Sequence, residues 1–229
     1  MDQIQSFLPL LLRGAQITAL IWVLALGLSI VFAFIGGVGR LSQRRWVRGL
    51  AAVYVEFFRG TSMVVQLWWM FFALPILTGI SMSAVTAGVI TLAMNTGAYG
   101  SEAVRGAIVA VDKGQSEAAT ALNFTRTQRL RRVILPQAVP MMLPPFGNLM
   151  IEMLKHTALV STITVADLLF QAQVIRQGTG LTVEVFTTIL VMYFVMAQVI
   201  ALGTRLLEKR AAIGPARRTA RKPKTAVPQ

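Results

Sequence analysis

Long apolar segments alternate with short polar or basic ones along this chain. A helix needs roughly 20 apolar residues to cross a bilayer core of about 30 Å. Four segments are long and apolar enough, near 15–39, 52–78, 83–108 and 181–206. A fifth, near 138–158, contains several prolines, which membrane helices tolerate when neighbouring protein satisfies the freed carbonyls. The pattern predicts an all-α polytopic membrane protein with five transmembrane helices. The proline-containing segment near 138–158 should be buried in the bundle and bent.

The remaining segments have other patterns. Residues 1–13 carry leucines without a basic signal-peptide start, and we expect them to lie along the outer membrane interface. Residues 159–180 are too polar to span and too apolar for a free loop, which favours a short helix or re-entrant segment on the outer half of the bundle. Residues 207–229 are basic and rich in Pro and Ala, and are predicted to form a disordered cytoplasmic tail. The transmembrane domain is thus predicted at 14–206.

Composition supports lipid as the main solvent, because 55% of the 229 residues are hydrophobic and only 14% are charged. Cysteine is absent, which excludes disulfides, thiol nucleophiles and cysteine-based metal sites. The single histidine, His156, cannot form a metal centre by itself. We therefore predict no metal site and no catalytic residue.

The net charge of +13 is concentrated next to the apolar segments. Of the 22 Lys and Arg residues, four lie in Arg40–Arg48, five between Lys113 and Arg132, and eight after Gly203. This is the distribution that the positive-inside rule predicts for cytoplasmic loops. It places the N-terminus outside and the C-terminus inside, with the chain contacting membrane lipid and not nucleic acid.

One polar and basic insert, residues 110–137, has the pattern of two short helices. Ser116 is placed to cap the first helix, and Asn123 to end it in the left-handed conformation. Thr125 is placed to cap the second helix, and Pro136 to end it. We expect a rigid cytoplasmic elbow with an apolar tip. The alternative is a surface loop whose arginines only contact lipid headgroups.

The insert carries a family motif. Glu117-Ala118-Ala119, followed by Asn123 and Ile134-Leu135-Pro136, resembles the EAA motif of permease subunits of binding-protein-dependent ABC importers. The family pattern has glycine where this chain has Asn123, and it has I-x-L-P, whereas Ile134 here directly precedes Leu135. Asparagine is the next best left-handed residue after glycine, so we expect the turn to be kept.

Further matches extend over roughly residues 14–206 and resemble the polar amino acid permease branch of this family. They are E-F-F-R-G-T at 56–61 with Gln66, where Ser62 replaces the family's proline; A-Y at 98–99 with Glu102, Arg105 and Gly106; L-P-Q-A at 135–138; and L-K-H-T-A-L-V-S at 154–161, where the family reads L-K-D-T-S-L-x-S.

The resemblance implies a type I ABC importer fold in a bacterial cytoplasmic membrane. Such a subunit pairs with a second permease subunit, as a homodimer or heterodimer, and receives its solute from an extracytoplasmic solute-binding protein. Each elbow would dock on one subunit of a cytoplasmic ATPase dimer. The chain has no G-x-x-x-x-G-K-[ST] sequence, so ATP and Mg would be held by the ATPase and no cofactor by this chain. The residues implied in ATPase coupling are Glu117, Ala118, Ala119, Asn123 and Phe124.

Four charged residues lie near the cytoplasmic ends of the second and third predicted spans, where ionisable groups are costly and are functional candidates. Glu56 and Arg59 lie one turn apart on the second span, and Glu102 and Arg105 one turn apart on the third. All four fall within about 10 Å of the inner boundary at 1.5 Å per residue. We expect one charged network at a cytoplasmic gate. The alternative is a static ion-pair lock between the two helices.

Polar residues deeper in the spans are candidates for the substrate path. They are Gln66, Asn95, Thr96, Tyr99, Asn148, Glu152 and Lys155. A zwitterionic solute needs an acceptor for its cation and a donor for its carboxylate, and Glu152 with Lys155 offers both charges one turn apart. The alternative is that these residues pair with each other and, through Asp167, with the outer segment.

Together these patterns predict a transport subunit of an ATP-driven importer, and not an enzyme. An amino acid is the expected substrate. A zwitterionic compatible solute, such as an ectoine-like or betaine-like compound, is the alternative. A stand-alone secondary carrier is a weaker reading, because such a carrier needs its own coupling-ion site or repeated halves, and no internal repeat is visible in the sequence.

Overall fold

The computed structural model describes residues 2–212, with side chains from 7 to 211, and this part of the chain contains helices and turns but no strand. Its α-helices, in chain order, are α1 (Asp2–Arg40), α2 (Arg45–Gly60), α3 (Met63–Trp68), α4 (Leu74–Thr78), α5 (Ala84–Ala110), α6 (Lys113–Ala121), α7 (Arg126–Arg129), α8 (Leu135–Thr157), α9 (Leu168–Thr179) and α10 (Thr182–Ala212). Wider π-helical turns join α3 to α4 at Trp69–Ala73 and α7 to α8 at Leu130–Ile134, and a 3-10 turn follows α8 at Ala158–Ile163.

Both ends of the described chain are helical. Residues 2–13 do not form a separate helix, because α1 runs without interruption from Asp2 to Arg40. Leu11 explains this continuity, since its buried side chain packs with Leu168 of α9 and Ile189 of α10. The placement of this segment at the membrane interface stays a prediction. Residues 207–212 of the predicted tail belong to α10, which extends to Ala212, and residues 213–229 lie outside the described residues.

Helix α5 occupies the centre of the bundle and packs along α1. The two backbones approach so closely that a Cβ added at Gly37 would lie 2.7 Å from the Cβ of Val104. A Cβ added at Gly97 would lie 2.6 Å from the Cβ of Phe32. Small residues therefore permit this contact, as is common where membrane helices pack.

The segment predicted as one span at 52–78 is not a single helix. It is broken between α2 and α3, and the two halves meet at an angle of 109°. Thr61 and Ser62, at the break, have extended backbone conformations, which end one helix and begin the next. The apolar pattern cannot reveal this break, because both halves are apolar.

The proline-rich segment is continuous helix. Prolines 140, 144 and 145 lie inside α8, and Pro136 lies in its first turn, so the prediction that Pro136 ends the second elbow helix is wrong. The π-helical turn explains why. The amide of Leu135 donates to the carbonyl of Leu130, five residues back, and the widened turn relieves the clash that proline makes with the preceding turn. The elbow helix thus runs directly into α8.

Length and composition alone single out two helical stretches that can cross a membrane, Phe7–Arg40 and Thr182–Ala211. The number rises to four if each of two bent pairs counts as one span: Arg45–Gly60 with Met63–Thr78, and Arg126–Ile163 with Leu168–Thr179. Helix α5 does not pass this test. Its polar and small residues lower its mean hydropathy, and many of them are buried inside the bundle, where they need not be apolar.

Candidate functional site

A polar cavity of about 280 Å³ opens beside the break between α2 and α3. Its volume is near the lower end of the roughly 300–1,000 Å³ typical of small-molecule sites. Three separate parts of the chain form its wall: the break, the middle of α5 and the end of α8. The lining residues are Thr61, Ser62, Met63, Asn95, Thr96, Tyr99, Leu149, Glu152, Met153 and His156.

Two buried amides hold the break that shapes this cavity. Breaking a helix leaves carbonyl groups without partners. The side-chain nitrogen of Gln66 donates to the carbonyls of Phe58 and Thr61, at 2.9 and 3.2 Å, and to the hydroxyl of Thr61 at 2.6 Å. Asn95 of α5 donates to the same Phe58 carbonyl and to the Gln66 side-chain oxygen, both at 3.0 Å. These two residues therefore support the cavity wall from behind.

The structure divides the predicted substrate-path residues among three cavities. Asn95, Tyr99 and Glu152 line the polar cavity. Asn148 and Lys155 line a neighbouring cavity of about 410 Å³, which shares Glu152 and His156 with the first. Gln66 lies on the far side of the break and faces an apolar cavity of about 440 Å³.

Glu152 and Lys155 make no ion pair in the described part of the chain, although the spacing of one turn favours one. Asp167 does not join them. It is buried and caps α9, where one carboxylate oxygen accepts from the amide of Phe170 at 2.9 Å. The carboxylate of Glu152 is thus available to a cation in either of the two cavities.

Sequence reasoning missed three polar residues of this wall, whereas Thr96 was among the predicted polar candidates and lines it. Thr61 and Ser62 face the cavity because the helix breaks there. His156 lines both cavities, although a lone histidine at a helix end indicated an ordinary polar residue. The departure of His156 from the family's aspartate was the signal that could have found it.

Glu102 is the centre of a charged cluster at one end of α5. Its carboxylate accepts from the side chains of Arg40, Arg59 at 3.3 Å and Arg105 at 3.0 Å. Arg40, at the end of α1, was not among the predicted members. Glu56 is peripheral, because its side chain is 69% exposed and only reaches Arg40 at 3.8 Å. One carboxylate thus joins arginines from α1, α2 and α5.

Arg59 connects this cluster to the polar cavity. Besides its contact with Glu102, its guanidinium carbon lies 5.3 Å from the ring centroid of Tyr99, which lines the cavity. A cation at this distance from an aromatic face is attracted by the ring. The predicted gate residues and the predicted substrate path are therefore in direct contact. Their functional role stays a prediction.

The elbow contains the expected left-handed turn. Asn123 has φ +58°. The amide of Asn123 donates to Thr120 at 2.9 Å and that of Phe124 to Ala119 at 3.0 Å, which is the bond pattern of a Schellman motif. Thr125 caps the second helix, as predicted, through a capping box with Gln128. The predicted Ser116 cap is wrong, since α6 begins earlier and Asp112 caps it at the Gly114 amide.

A side-chain hydrogen bond braces the two arms of the elbow against each other. Arg129 donates to the hydroxyl of Thr120 at 2.8 Å, across the turn. Of the predicted coupling residues, Glu117 and Ala118 are exposed, whereas Ala119 is buried inside the elbow. Leu122, which was not predicted, is 70% exposed at the tip. The exposed apolar tip therefore contains Leu122, which was not expected there, and does not contain Ala119.

A helical bundle with long apolar helices, a polar cavity at a broken helix and a helical elbow is typical of membrane transport proteins. Comparison with known families gives the particular one. The family model described as the inner membrane component of binding-protein-dependent transport systems matches residues 25–213, and the chain belongs to this family. Family members are transport subunits and not ATPases. The match to this family confirms the resemblance predicted from the sequence.

Individual relatives agree with this assignment. The probable amino-acid ABC transporter permease protein y4tF of Sinorhizobium fredii is 49% identical over 201 residues, covering 86% of this chain and 84% of that protein. The glutamine transport system permease protein GlnP of Escherichia coli is 38% identical over 207 residues, covering 90% and 94%. A crystal structure of an amino acid ABC transporter with histidines has a TM-score of 0.83 at 36% identity, covering 91% of this chain and 97% of that one. The fold is that of type I ABC importer permeases.

Proposed function

We propose that this chain is the permease subunit of an ATP-driven importer that moves an amino acid across the bacterial cytoplasmic membrane. The names of its relatives, an amino-acid permease and a glutamine permease, support an amino acid as the substrate. None of the relatives described above is named for a compatible solute, so the ectoine-like or betaine-like alternative has no support. The family assignment also disfavours a stand-alone secondary carrier.

The proposed topology has five spans, with the N-terminus outside and the C-terminus inside. The bent pair α2 to α4 is the second span and the buried α5 is the third. The positive-inside rule supports this orientation, because Arg40–Arg48, the elbow at 110–137 and the end of α10 then lie together in the cytoplasm.

Partner subunits supply energy and substrate. The exposed Glu117, Ala118 and Leu122 and the half-buried Phe124 offer a docking surface for a cytoplasmic ATPase dimer, which holds ATP and Mg. The bracing of the two arms supports this role, because a docking element must transmit movement without bending. A second permease subunit and an external solute-binding protein complete the importer.

The observation that carries the proposed substrate is the polar cavity at the helix break. Its one carboxylate, on Glu152, is placed to accept the substrate ammonium group. The hydroxyls of Ser62, Thr96 and Tyr99 are donors for a carboxylate, whereas the hydroxyl of Thr61 already donates to the Phe57 carbonyl at 2.7 Å. A zwitterion with both groups on one carbon fits such a wall, where acceptor and donors lie around a single small cavity.

Uptake in proteoliposomes tests this proposal. The permease is reconstituted with its ATPase and binding protein, and ATP-dependent uptake of radiolabelled glutamine, other amino acids and betaine is compared. We expect uptake of an amino acid and a loss of at least tenfold in Glu152→Gln. The matched control is Glu184→Gln, which removes an exposed carboxylate of α10 outside the cavity.

Two results would contradict the proposal. Uptake that proceeds without the ATPase would show a secondary carrier, and ATP-dependent uptake of betaine with no amino acid transported would show the alternative substrate class. Equal uptake by the two glutamine variants would remove Glu152 from the substrate site while leaving the importer assignment intact.

A further inference from the structure

A second polar cavity, of about 550 Å³, lies where α1 ends and α2 begins. Four arginines line it: Arg40, Arg45, Arg48 and Arg105. The rest of its wall is uncharged, and within residues 7–211 no acidic side chain lines it. Such a cavity has the charge of an anion site, and guanidinium groups are well shaped to hold a phosphate.

The charges of this cavity are only partly neutralised by the protein. Arg40 and Arg105 bind Glu102, outside the cavity lining. Arg45 and Arg48 have no carboxylate partner in the described part of the chain. Two positive charges on neighbouring turns of α2 therefore face the cavity without a counter-charge, and an anion bound there would relieve their mutual repulsion.

The same helix carries an exposed apolar stripe on another face. Trp46, Leu50, Val53 and Phe57 recur at helical spacing and are 86%, 72%, 68% and 57% exposed. At 100° per residue the stripe lies roughly 140° around α2 from the face that Arg45 and Arg48 share. Tryptophan is enriched where a membrane meets water. A ligand that fits both surfaces has an anionic head and apolar chains.

We propose that this cavity binds the phosphate of an anionic phospholipid, with the acyl chains entering the bilayer beside α2. Charge complementarity with the four arginines and the exposed apolar surface of the same helix favour a lipid over a free phosphate, which would use only the cavity. Basic pockets between membrane helices bind lipid headgroups in the same manner. The inference goes beyond the proposed function, because it requires only that the chain lies in a membrane.

Lipid binding at this site also reaches the Glu102 cluster. Arg40 and Arg105 line the cavity and bind Glu102, so a phosphate and this carboxylate share the same two guanidinium groups. A bound anionic lipid therefore weakens the ion pair between Glu102 and Arg40 at the end of α1. Transport is then sensitive to the lipid composition of the bilayer.

Native mass spectrometry of the purified full-length chain tests lipid binding. Phosphatidylglycerol or phosphatidylcholine is added, and the lipids retained per chain are counted for the wild type and for the cavity variant, Arg45→Gln/Arg48→Gln. The control is Arg44→Gln/Lys209→Gln, which removes the same charge from exposed residues that do not line the cavity. We expect the cavity variant to retain one phosphatidylglycerol fewer than the wild type and the control. Phosphatidylcholine retention stays the same in all three.

The other outcomes overturn the proposal. Equal retention of phosphatidylglycerol by the two double variants means that the basic residues attract lipid only through overall charge. Binding of inorganic phosphate to the wild type in phosphatidylcholine nanodiscs, lost in the cavity variant, identifies a site for a soluble phosphate instead of a lipid.

Uptake provides a second readout. Phosphatidylglycerol should change the uptake rate of the assembled importer at least twofold relative to phosphatidylcholine, and Arg45→Gln/Arg48→Gln should abolish that response. An importer of the proposed substrate that shows the same response in the wild type and this variant overturns the regulatory link. Because lipid retention is measured without substrate, failure of the proposed function leaves that test interpretable.

Discussion

Arg59 lies over the ring of Tyr99, with 5.3 Å between the guanidinium carbon and the ring centroid, and the same side chain reaches Glu102 at 3.3 Å. One residue of α2 therefore contacts both the charged cluster and the wall of the polar cavity. The contact gives a physical route by which a substrate beside Tyr99 can influence the ion pairs of Glu102. The free energy of the contact between Arg59 and Tyr99 can be measured.

A double-mutant cycle should detect the contact between Arg59 and Tyr99. We expect Arg59→Gln and Tyr99→Leu to be non-additive by about 0.5–1 kcal/mol, the usual size of a cation-π interaction at a partly exposed site. The free energy of unfolding is measured by titration with sodium dodecyl sulfate. A cycle of Arg48→Gln with Tyr99→Leu serves as the control and should be additive. Additivity in both cycles would show that the observed stacking contributes no energy.

Glu102→Gln should destabilise the protein because three arginines lose their shared carboxylate. We expect a loss of about 1–3 kcal/mol in the free energy of unfolding, with lower expression. Glu56→Gln is the matched control, and its exposed side chain with one 3.8 Å contact predicts a change below about 0.5 kcal/mol. If Glu102→Gln kept full transport and normal expression, the network would have no role in the fold or in gating.

Gln66→Met should damage the helix break although it conserves side-chain volume. It removes the amide that satisfies the Phe58 and Thr61 carbonyls, and we expect a loss of about 1–3 kcal/mol without any substrate present. The control Gln177→Met alters an exposed glutamine of α9 and should leave stability unchanged. Normal stability of Gln66→Met combined with a raised KM for uptake would instead place Gln66 in the substrate path.

Substitutions at Asn123 should separate folding from coupling. Its φ of +58° suits glycine and asparagine, whereas a β-branched residue there costs about 1–2 kcal/mol. Asn123→Gly should preserve uptake and Asn123→Val should uncouple ATP hydrolysis from transport, with both proteins inserted in the membrane. The measurement is the number of substrate molecules moved per ATP hydrolysed. Equal coupling in the two variants would mean that the turn does not control the angle of the elbow.

The close contact of α1 with α5 should not tolerate an added methyl group. Gly37→Ala places a Cβ 2.7 Å from the Val104 side chain and 2.8 Å from the Ser101 carbonyl, so the helices must separate. We expect a loss of about 1–3 kcal/mol. At Gly27 an added Cβ meets nothing within 4 Å, so Gly27→Ala should be neutral or slightly stabilising. Measurement of the free energy of unfolding should therefore show a loss for Gly37→Ala and none for Gly27→Ala.

The sequence predicts most clearly the features that depend on local chemistry. The left-handed turn at Asn123 and the cap at Thr125 follow from the conformations that these side chains favour, and both are present. The family motif at Glu117 adds what local chemistry cannot give, namely the membership in the family of inner membrane components of binding-protein-dependent transport systems. The exact start of α6 was missed because Asp112 and Ser116 are both good caps and only packing chooses between them.

Features that depend on contacts between distant segments were not predictable. The break at Thr61 exists because Gln66 and Asn95 converge on its free carbonyls, and no periodicity records that meeting. Arg40 belongs to the Glu102 cluster because α1 lies against α5, although the sequence separates the two residues by 62 positions. His156 turns to the cavity only because α8 continues through its prolines to that depth.

The uninterrupted helical run from Arg126 to Ile163 makes the elbow and the cavity wall parts of one lever. Glu152 lies 26 residues beyond Arg126, which is roughly 39 Å along the axis at 1.5 Å per residue. A tilt of such a rod by a few degrees at Arg126 displaces the position of Glu152 by a few ångströms. That displacement is comparable to the length of a hydrogen bond, so under the proposed docking a small rotation would move Glu152 relative to Asn95, its neighbour in the cavity wall.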